Sequence, residues 1–251
     1  MSIVRVVIRT VAKAGRTPDQ NQDRTRILWA GIDDLRVGVS DGATQSHAPG
    51  LWADLLAQAS VDGRLDARHN HRQLTRGVTR LATEWSTATK LDLDAPWYVR
   101  EHAKRGAHAT LVAMRICREK RRWVWHALCV GDTVVLHVGR DGSLIRAFPL
   151  SHSAQFNSTP RLLSTLPEAG GGLRRRRLRT SGWLRTGESL WIATDALAAF
   201  LLAHQEAGLP IGATLIPCVR SDKAFARTVE RLRSEGRLAD DDTTVVGIRH
   251  R

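Results

Sequence analysis

The sequence predicts an α+β fold in which helix pairs cover a β-sandwich. Short segments rich in Val, Ile, Leu and Trp, which are typical of strands, are grouped in blocks along the chain. Pairs of longer segments between these blocks carry the spacing of three and four that is typical of amphipathic helices. Segregated strand blocks and helix pairs favour a covered sandwich over a regularly wound parallel sheet.

The individual elements follow in order along the chain. The predicted strands are 3–12, 27–39, 110–117, 122–138, 189–194 and 243–249. The first two predicted helices cover about 49–60, with Leu51, Leu55 and Ala59 apolar, and 72–89, with Leu74, Val78, Leu81 and Trp85 apolar. Two more are predicted over 196–207 and 222–236. Segment 151–186 has few periodic signals, so we expect a loop-rich insertion within one domain of residues 1–251.

Composition places the chain among ordinary globular proteins. Its 251 residues suffice for a large core, and 42% hydrophobic with 25% charged residues argue against disorder. Arg5 and Arg9 interrupt the apolar start and no small-residue cleavage site follows, which argues against a signal peptide. No apolar run reaches the roughly 18 residues that a membrane-spanning helix needs. We therefore predict a cytoplasmic protein without membrane contact.

The three cysteines agree with this prediction. They are well separated, show no CxxC spacing and are mostly flanked by apolar residues: Cys117, Cys129 and Cys218. This pattern argues against a disulfide framework or a zinc site. We expect all three to be small core residues in a reducing compartment.

The net charge of +13 predicts attraction to anions. Nucleic acid, acidic protein segments and phosphorylated substrates all fit such a balance. The cationic residues are mostly Arg, however, and are scattered along the chain, so a biased genome composition explains them equally well. Charge alone does not choose the partner.

Four aspartates stand at the ends or starts of predicted strands, and a fifth lies in a strand turn. The four are Asp23 in NQDR, Asp41 in VGVSDGATQS, Asp195 in LWIATDALAA and Asp241 in LADDDTTVVGI, and the fifth is Asp132 in CVGDTVVLHVG. Strand tips are rigid and open to solvent, and carboxylates without His or Cys favour Mg²⁺ or Mn²⁺ over zinc. Taken singly, each is as well explained as a turn former or a helix N-cap, the role that Asp195 suits.

The order of these motifs resembles the type 2C family of metal-dependent protein phosphatases. NQD, SDG, GAHATL, VGD, ATDAL and DDxT follow one another from about residue 8 to residue 249, and the bacterial branch is most similar. The resemblance implies a four-layer αββα fold, two antiparallel sheets flanked by helix pairs, with the metals in a cleft at one end. It implies hydrolysis of phosphoserine and phosphothreonine by a metal-bridging water, with a phosphorylated protein as substrate and a Ser/Thr kinase as its cognate opponent.

The resemblance also assigns roles at particular positions. Asp41 matches the aspartate that bridges two Mn²⁺ or Mg²⁺ ions, and Gly42 matches the residue whose carbonyl binds one of them. Asp195 and Asp241 match the other ligands of the first ion. If the match shifts by one position, an aspartate flanking Asp241 takes its role.

Two further aspartates complete the implied site. Asp23 matches the acidic position near the second ion, usually reached through water, and Asp132 matches an aspartate of a third, weaker metal site. Two cations roughly 3.5–4 Å apart repel each other, so a shared carboxylate and further negative ligands are needed to hold them.

The sequence departs from the family pattern at several positions. Gln22 replaces the first of two acidic residues, and Ala196 replaces a common Gly. Pro18 stands where an Arg often grips the substrate phosphate, so Arg16 or Arg24 would have to take that role, and we select Arg16. These departures weaken the predicted second metal or the phosphate grip and leave the core ligands in place.

Other residues have two interpretations each. The run Arg174–Arg177, with Arg179 and Arg185, lies where the family carries a variable flap and could dock phosphorylated partners, or it is a solvated charged face. His47 could protonate a leaving alcohol or is a solvent-facing loop residue. Four tryptophans in apolar patterns are predicted to be core: Trp52, Trp85, Trp125 and Trp191.

Two alternative functions stay open. A pseudophosphatase or phosphoprotein-binding regulatory module on the same fold is consistent with Gln22 and Pro18. A nucleic-acid-binding protein is consistent with the charge, but the chain contains no recognised nucleic-acid motif, so this is the least favoured hypothesis.

Overall fold

The computed structural model describes residues 4–90, 96–156, 160–166 and 179–250. These residues form twelve strands and six α-helices. The strands are β1 (Val4–Val11), β2 (Arg24–Gly31), β3 (Asp34–Ser40), β4 (His108–Ala109), β5 (Leu111–Glu119), β6 (Arg122–Val130), β7 (Val134–Val138), β8 (Leu144–Phe148), β9 (Leu163–Ser164), β10 (Arg179–Leu184), β11 (Ser189–Ala193) and β12 (Thr243–His250). The helices are α1 (Pro49–Val61), α2 (His71–Ala88), α3 (Trp97–Lys104), α4 (Asp195–Glu206), α5 (Ile211–Cys218) and α6 (Asp222–Ser234).

Two five-stranded antiparallel sheets form the body of the molecule. The first sheet has the order β1-β12-β11-β7-β8 and the second has the order β10-β6-β5-β3-β2. A small third sheet pairs β4 with β9. Since β1 pairs with the last strand, from Val4 opposite His250 to Val11 opposite Thr243, the two ends of the described chain close the same sheet.

Three layers of apolar side chains hold four layers of secondary structure together. Alternate residues of facing strands, such as Val37, Met114 and Ile192, meet between the sheets. The other face of the first sheet is covered by α4, α5 and α6, and the other face of the second sheet by α1 and α2. The predicted αββα fold is therefore confirmed.

Helix α1 lies unusually close to the second sheet. A Cβ on Gly38 of β3 would stand 2.3 Å from the carbonyl oxygen of Ala57, so only glycine allows this approach. The buried face of α1 contains Trp52 and Leu56. Of the predicted stripe, Ala59 is buried, and Leu51 and Leu55 are half-buried and pack against the same core. That prediction was correct only in part, because the side pressed on β3 is the most deeply buried.

Other predictions of local structure were correct in part. The buried face of α2 was predicted correctly, and the three cysteines and four selected tryptophans are buried. Segments 27–39 and 122–138, each predicted as one strand segment, contain two strands joined by a turn, and of these turns only the one at Asp132 was predicted. Helices α3 and α5 and strands β8 and β10 were not predicted.

Part of the expected insertion can be described. Its last residues form β10, a regular edge strand paired with β6. Residues 157–159 and 167–178, including Arg174–Arg177, lie outside the described residues. The flap-like insertion and the role of its Arg run stay predictions.

No helix among the described residues has the length and apolar character required to cross a membrane.

Candidate metal centre

The strand-end aspartates come together at one end of the sandwich. Asp41 follows β3, Asp132 follows β6 and Asp195 follows β11, whereas Asp23 precedes β2 and Asp241 precedes β12. In antiparallel sheets the end of one strand lies beside the start of its neighbour, so these positions lie at the same end of the two sheets. The sequence prediction grouped the same five residues.

Asp41 lies at the centre of this group. Burial raises the pKa of its carboxyl group well above the usual value, and the charges of Asp23, Asp195, Asp132 and Asp241 raise it further. Four other carboxylates therefore act on one side chain. Such a cluster has a strong electrostatic preference for cations.

Threonine hydroxyl groups hold the backbone of Asp41 in place. Its N–H donates to Thr110 Oγ1 over 3.0 Å, and the Thr110 N–H donates to the Asp41 carbonyl oxygen over 2.9 Å. Thr110 Oγ1 also lies 2.6 Å from Thr133 Oγ1. This buried network fixes where Asp41 leaves β3.

Gly42 allows the chain after Asp41 to pass beneath helix α1. It bridges to Ala109, and a Cβ at this position would lie 2.8 Å from the carbonyl carbon and oxygen of Pro49, at the start of α1. The close contact leaves no room for a side chain at position 42 and keeps the Gly42 backbone next to Asp41.

Asp23 is a buried carboxylate that is only partly satisfied. Thr194 Oγ1 donates to Asp23 Oδ2 over 3.2 Å, but the buried Oδ1 has no hydrogen-bond partner among the described residues. Burial raises the pKa of Asp23 to about 7, with Thr244 opposing the shift and Asp242 and Asp195 adding to it. An unpaired buried carboxylate oxygen is costly without a cation or proton.

Asp195 and Asp132 are further members of the aspartate cluster. Burial, followed by the charge of Asp132, raises the pKa of Asp195 to about 6, and burial raises the pKa of Asp132. Thr194 is the N-cap residue of α4 and Asp195 its first helical residue. The interpretation of Asp195 as the N-cap was therefore wrong, and its carboxylate accepts the Ala196 N–H over 2.6 Å.

The structure distinguishes the three consecutive aspartates before β12. Asp242 accepts the backbone N–H groups of Lys13 and Gln22, each over 2.7 Å. Asp240 accepts the N–H of Ala14 at the surface. The charge of Asp241 acts on Asp41, and the charges of both Asp241 and Asp242 act on Asp195. The selection of Asp241 as a metal ligand stays a prediction.

The residues considered for phosphate binding lie near this end. Arg24 donates to the carbonyl oxygens of Asn21 and Asp23 over 2.5 and 2.9 Å. Arg16 and Pro18 line a cavity of about 580 Å³ beside α6. Among the residues that the structure describes, no hydrogen bond or ion pair joins the Arg16 side chain to the aspartates, and the selection of Arg16 stays a prediction.

His47 packs its ring edge against Trp85, with ring centroids 5.8 Å apart. This contact explains its position without a role in proton transfer.

The donor set fits a hard divalent cation, although the side chains do not form a closed cage. Across the described part of the chain, no three acidic, histidine or cysteine side chains are close enough to hold one ion as they stand. The donors are nevertheless carboxylate and carbonyl oxygens, the type that Mg²⁺ and Mn²⁺ prefer. The unpaired Asp23 Oδ1 is the clearest local sign that a cation fits here.

The sequence prediction missed the polar residues that support these aspartates. Asn21 accepts the Asp23 N–H over 2.7 Å, and Thr194 Oγ1 accepts the Thr244 N–H over 2.9 Å. Both threonines stand beside or near a predicted aspartate in the ATD and DDTT motifs, so adjacency was the available signal.

Comparison with known proteins gives structural matches only. No family model and no curated protein matches the sequence. A serine/threonine protein phosphatase, PstP, solved with two manganese ions, matches with a TM-score of 0.58 and 16% identity over 100% of this chain and 99% of that one. A serine/threonine phosphatase of S. agalactiae matches with a TM-score of 0.60 and 13% identity over 98% and 99%. RsbX, solved with magnesium, matches with a TM-score of 0.51 and 16% identity over 99% and 96%.

These matches define the class of fold. The chain has, along nearly its whole length, the fold of serine/threonine protein phosphatases, which confirms the fold expected from the resemblance to the type 2C family.

Proposed function

We propose that this protein is a metal-dependent phosphatase that hydrolyses phosphoserine and phosphothreonine in proteins. The observation that carries the proposal is the convergence of five strand-end aspartates on one end of the sandwich, where burial and mutual repulsion raise the pKa values of four of them. Among the described residues, none of these five side chains forms an ion pair with Lys or Arg; the nearby Arg233 pairs with Asp240 instead. The excess negative charge is therefore left for cations.

The proposed ligands follow from the geometry and from the resemblance together. Asp41, the Gly42 carbonyl, Asp195 and Asp241 would hold one Mn²⁺ or Mg²⁺, and Asp41 would share its carboxylate with a second ion near Asp23. Asp132 would serve a third, weaker site. When bound, two such cations make a water between them acidic and stabilise charge on the phosphoryl oxygens.

The protein's own residues prepare this site. The hydroxyl network of Thr110 and Thr133 holds Asp41 at the end of β3, and Thr194 orients Asp23. Because burial and mutual repulsion favour protonated carboxyl groups, cation binding should release protons, and cation affinity should rise with pH. The substrate is proposed to be a phosphorylated protein and the opposing partner a Ser/Thr kinase.

Hydrolysis of a phosphothreonine peptide tests the proposal. We expect turnover with Mn²⁺, loss of turnover with EDTA, and a loss of at least a hundredfold in Asp41→Asn, because the neutral amide cannot hold two cations. Asp141→Asn, at an exposed turn where the Asp141 carboxylate accepts from Ser143, is the matched control. Full activity of a folded Asp41→Asn variant would contradict the assignment.

The second candidate is a pseudophosphatase on the same fold. The observation that favours it is the position of Gln22, whose Nε2 donates to the Gln20 carbonyl over 2.8 Å and whose Oε1 rests beside Gly50 of α1. This side chain supplies no carboxylate where the family has one. Calorimetry that detects no Mn²⁺ binding at millimolar metal, together with retained phosphopeptide binding, would favour this candidate.

A further inference from the structure

A pocket rich in arginine lies at the end of the sandwich opposite the aspartates. It has a volume of about 520 Å³ and is lined by Arg118, Arg121, Arg122, Trp123, Trp183, Leu184, Arg185, Thr186 and His250. These residues come from the β5–β6 turn and from the last residues of β10 and β12. The nine residues of β5 run from the aspartate end to this turn, a distance of roughly 27 Å. The pocket is thus separate from the candidate metal centre.

Four guanidinium groups dominate the charge of this pocket. Arg118 is 3.7 Å from Asp33, whereas Arg121, Arg122 and Arg185 form no ion pair within the described part of the chain. The lining contains no carboxylate. Guanidinium groups bind phosphate through two parallel N–H donors, so this set favours a phosphate-bearing anion.

The pocket also presents an exposed aromatic ring. Trp183 is 51% exposed on the edge strand β10, and the Arg122 guanidinium lies 4.7 Å from its ring centre. Trp123 forms the buried base of the pocket and packs against His250. Exposed indole rings beside guanidinium groups are a stacking surface for nucleobases.

The turn that carries two of the arginines is a tight hairpin turn. Lys120 and Arg121 have φ angles of 45° and 72°, in the left-handed region that hairpin turns normally fill with Asn or Gly. A two-residue hairpin turn of this kind requires positive φ at both positions, so these values follow from the tight connection of β5 with β6. The turn places Arg121 and Arg122 at the rim of the pocket.

We propose that this pocket binds a nucleoside phosphate, with the phosphates on the arginines and the base stacked on Trp183. Its volume lies within the range of small-molecule sites, roughly 300–1,000 Å³. The nine lining residues at one end of the sandwich leave room for a free nucleotide, whereas a nucleic-acid strand requires a continuous groove.

Calorimetry on the EDTA-treated protein tests the proposal, because removal of metal prevents phosphate binding at the aspartate end. We expect ADP to bind more tightly than pyrophosphate or adenosine. Arg122→Ala and Arg185→Ala should each weaken ADP binding about tenfold. Arg72→Ala, an exposed arginine on α2 that does not line the pocket, should leave it unchanged.

The aromatic contribution is tested separately. Trp183→Ala should weaken ADP binding about tenfold without changing pyrophosphate binding, and Trp183→Phe should retain most ADP affinity. Thermal unfolding of each variant confirms that it is folded. Asp41→Asn should bind ADP like the wild type, so failure of the phosphatase proposal leaves this one standing.

Several results would overturn the inference. They are absence of ADP binding at millimolar concentration, equal weakening by Arg72→Ala, or unchanged ADP binding in Trp183→Ala. Tighter binding of a single-stranded oligonucleotide than of ADP would instead identify the face as a nucleic-acid surface.

Discussion

The buried carboxylate of Asp23 predicts an unusual dependence of stability on pH in the metal-free protein. Its pKa in the folded protein is about 7 against an ordinary value of 3.8. A carboxyl group whose folded pKa is raised contributes stability that is complete below the unfolded pKa and is lost as pH rises through the folded pKa. Metal-free protein should therefore lose this stability between about pH 4 and pH 7.

The size of the effect follows from the same values. At 1.36 kcal/mol for each pKa unit, the difference between 3.8 and about 7 corresponds to a loss on the order of 4 kcal/mol for Asp23. The free energy of unfolding of a folded domain is typically about 5–15 kcal/mol, so this loss is a large share of it.

Urea unfolding in EDTA at pH 5 and pH 8 measures the effect. We expect Asp23→Asn, which is neutral at both values, to remove part of the pH-dependent loss, and the rest comes from Asp41 and Asp195, whose pKa values are also raised. The difference between wild type and variant measures the contribution of Asp23. Addition of Mn²⁺ should restore stability at pH 8 and have little effect at pH 5, because the ion competes with protons. The reasoning is refuted if the wild type loses no more unfolding free energy between pH 5 and pH 8 than Asp23→Asn does.

Two further predictions concern the backbone around the site. Gly42→Ala should lower the melting temperature and weaken Mn²⁺ binding, because a Cβ there would lie 2.8 Å from the backbone of Pro49. Thermal unfolding and calorimetry measure the two effects, and Gly31→Ala, where a Cβ meets nothing within 4 Å, is the control. Asp242→Ala should lower the free energy of unfolding by about 2 kcal/mol, because two backbone N–H groups lose their acceptor. Urea unfolding beside Asp240→Ala, which removes one exposed acceptor and should cost less than about 1 kcal/mol, checks this, and equal losses in the two variants would contradict it.

The helices show how far local patterns can be trusted. The buried face of α2 followed from its sequence because its apolar residues are few and regularly spaced among polar ones. Helix α1 is apolar on most sides, so its pattern did not indicate which face is buried. The contact of Gly38 with Ala57 decides that face.

The strands show a different limit. The apolar runs 27–39 and 122–138 were each predicted as one strand segment, although each contains a turn, and only the turn at Asp132 was predicted. The polar signal at the other turn, Asp33 with Asp34, is weak. Pairing of β2 with β3 and of β6 with β5, contacts made across the sheet, defines where each strand ends.

The sequence by itself determined the layered α+β class, the positions of five strand-end aspartates and the burial of the cysteines. Each of these rests on local spacing and residue type. Tertiary structure decided which of three consecutive aspartates acts on Asp41, and which two are occupied by backbone N–H groups of a segment more than 200 residues away. It also decided the raised pKa of Asp23 and the grouping of the arginines around Trp183, because burial and charge depend on contacts between distant parts of the chain.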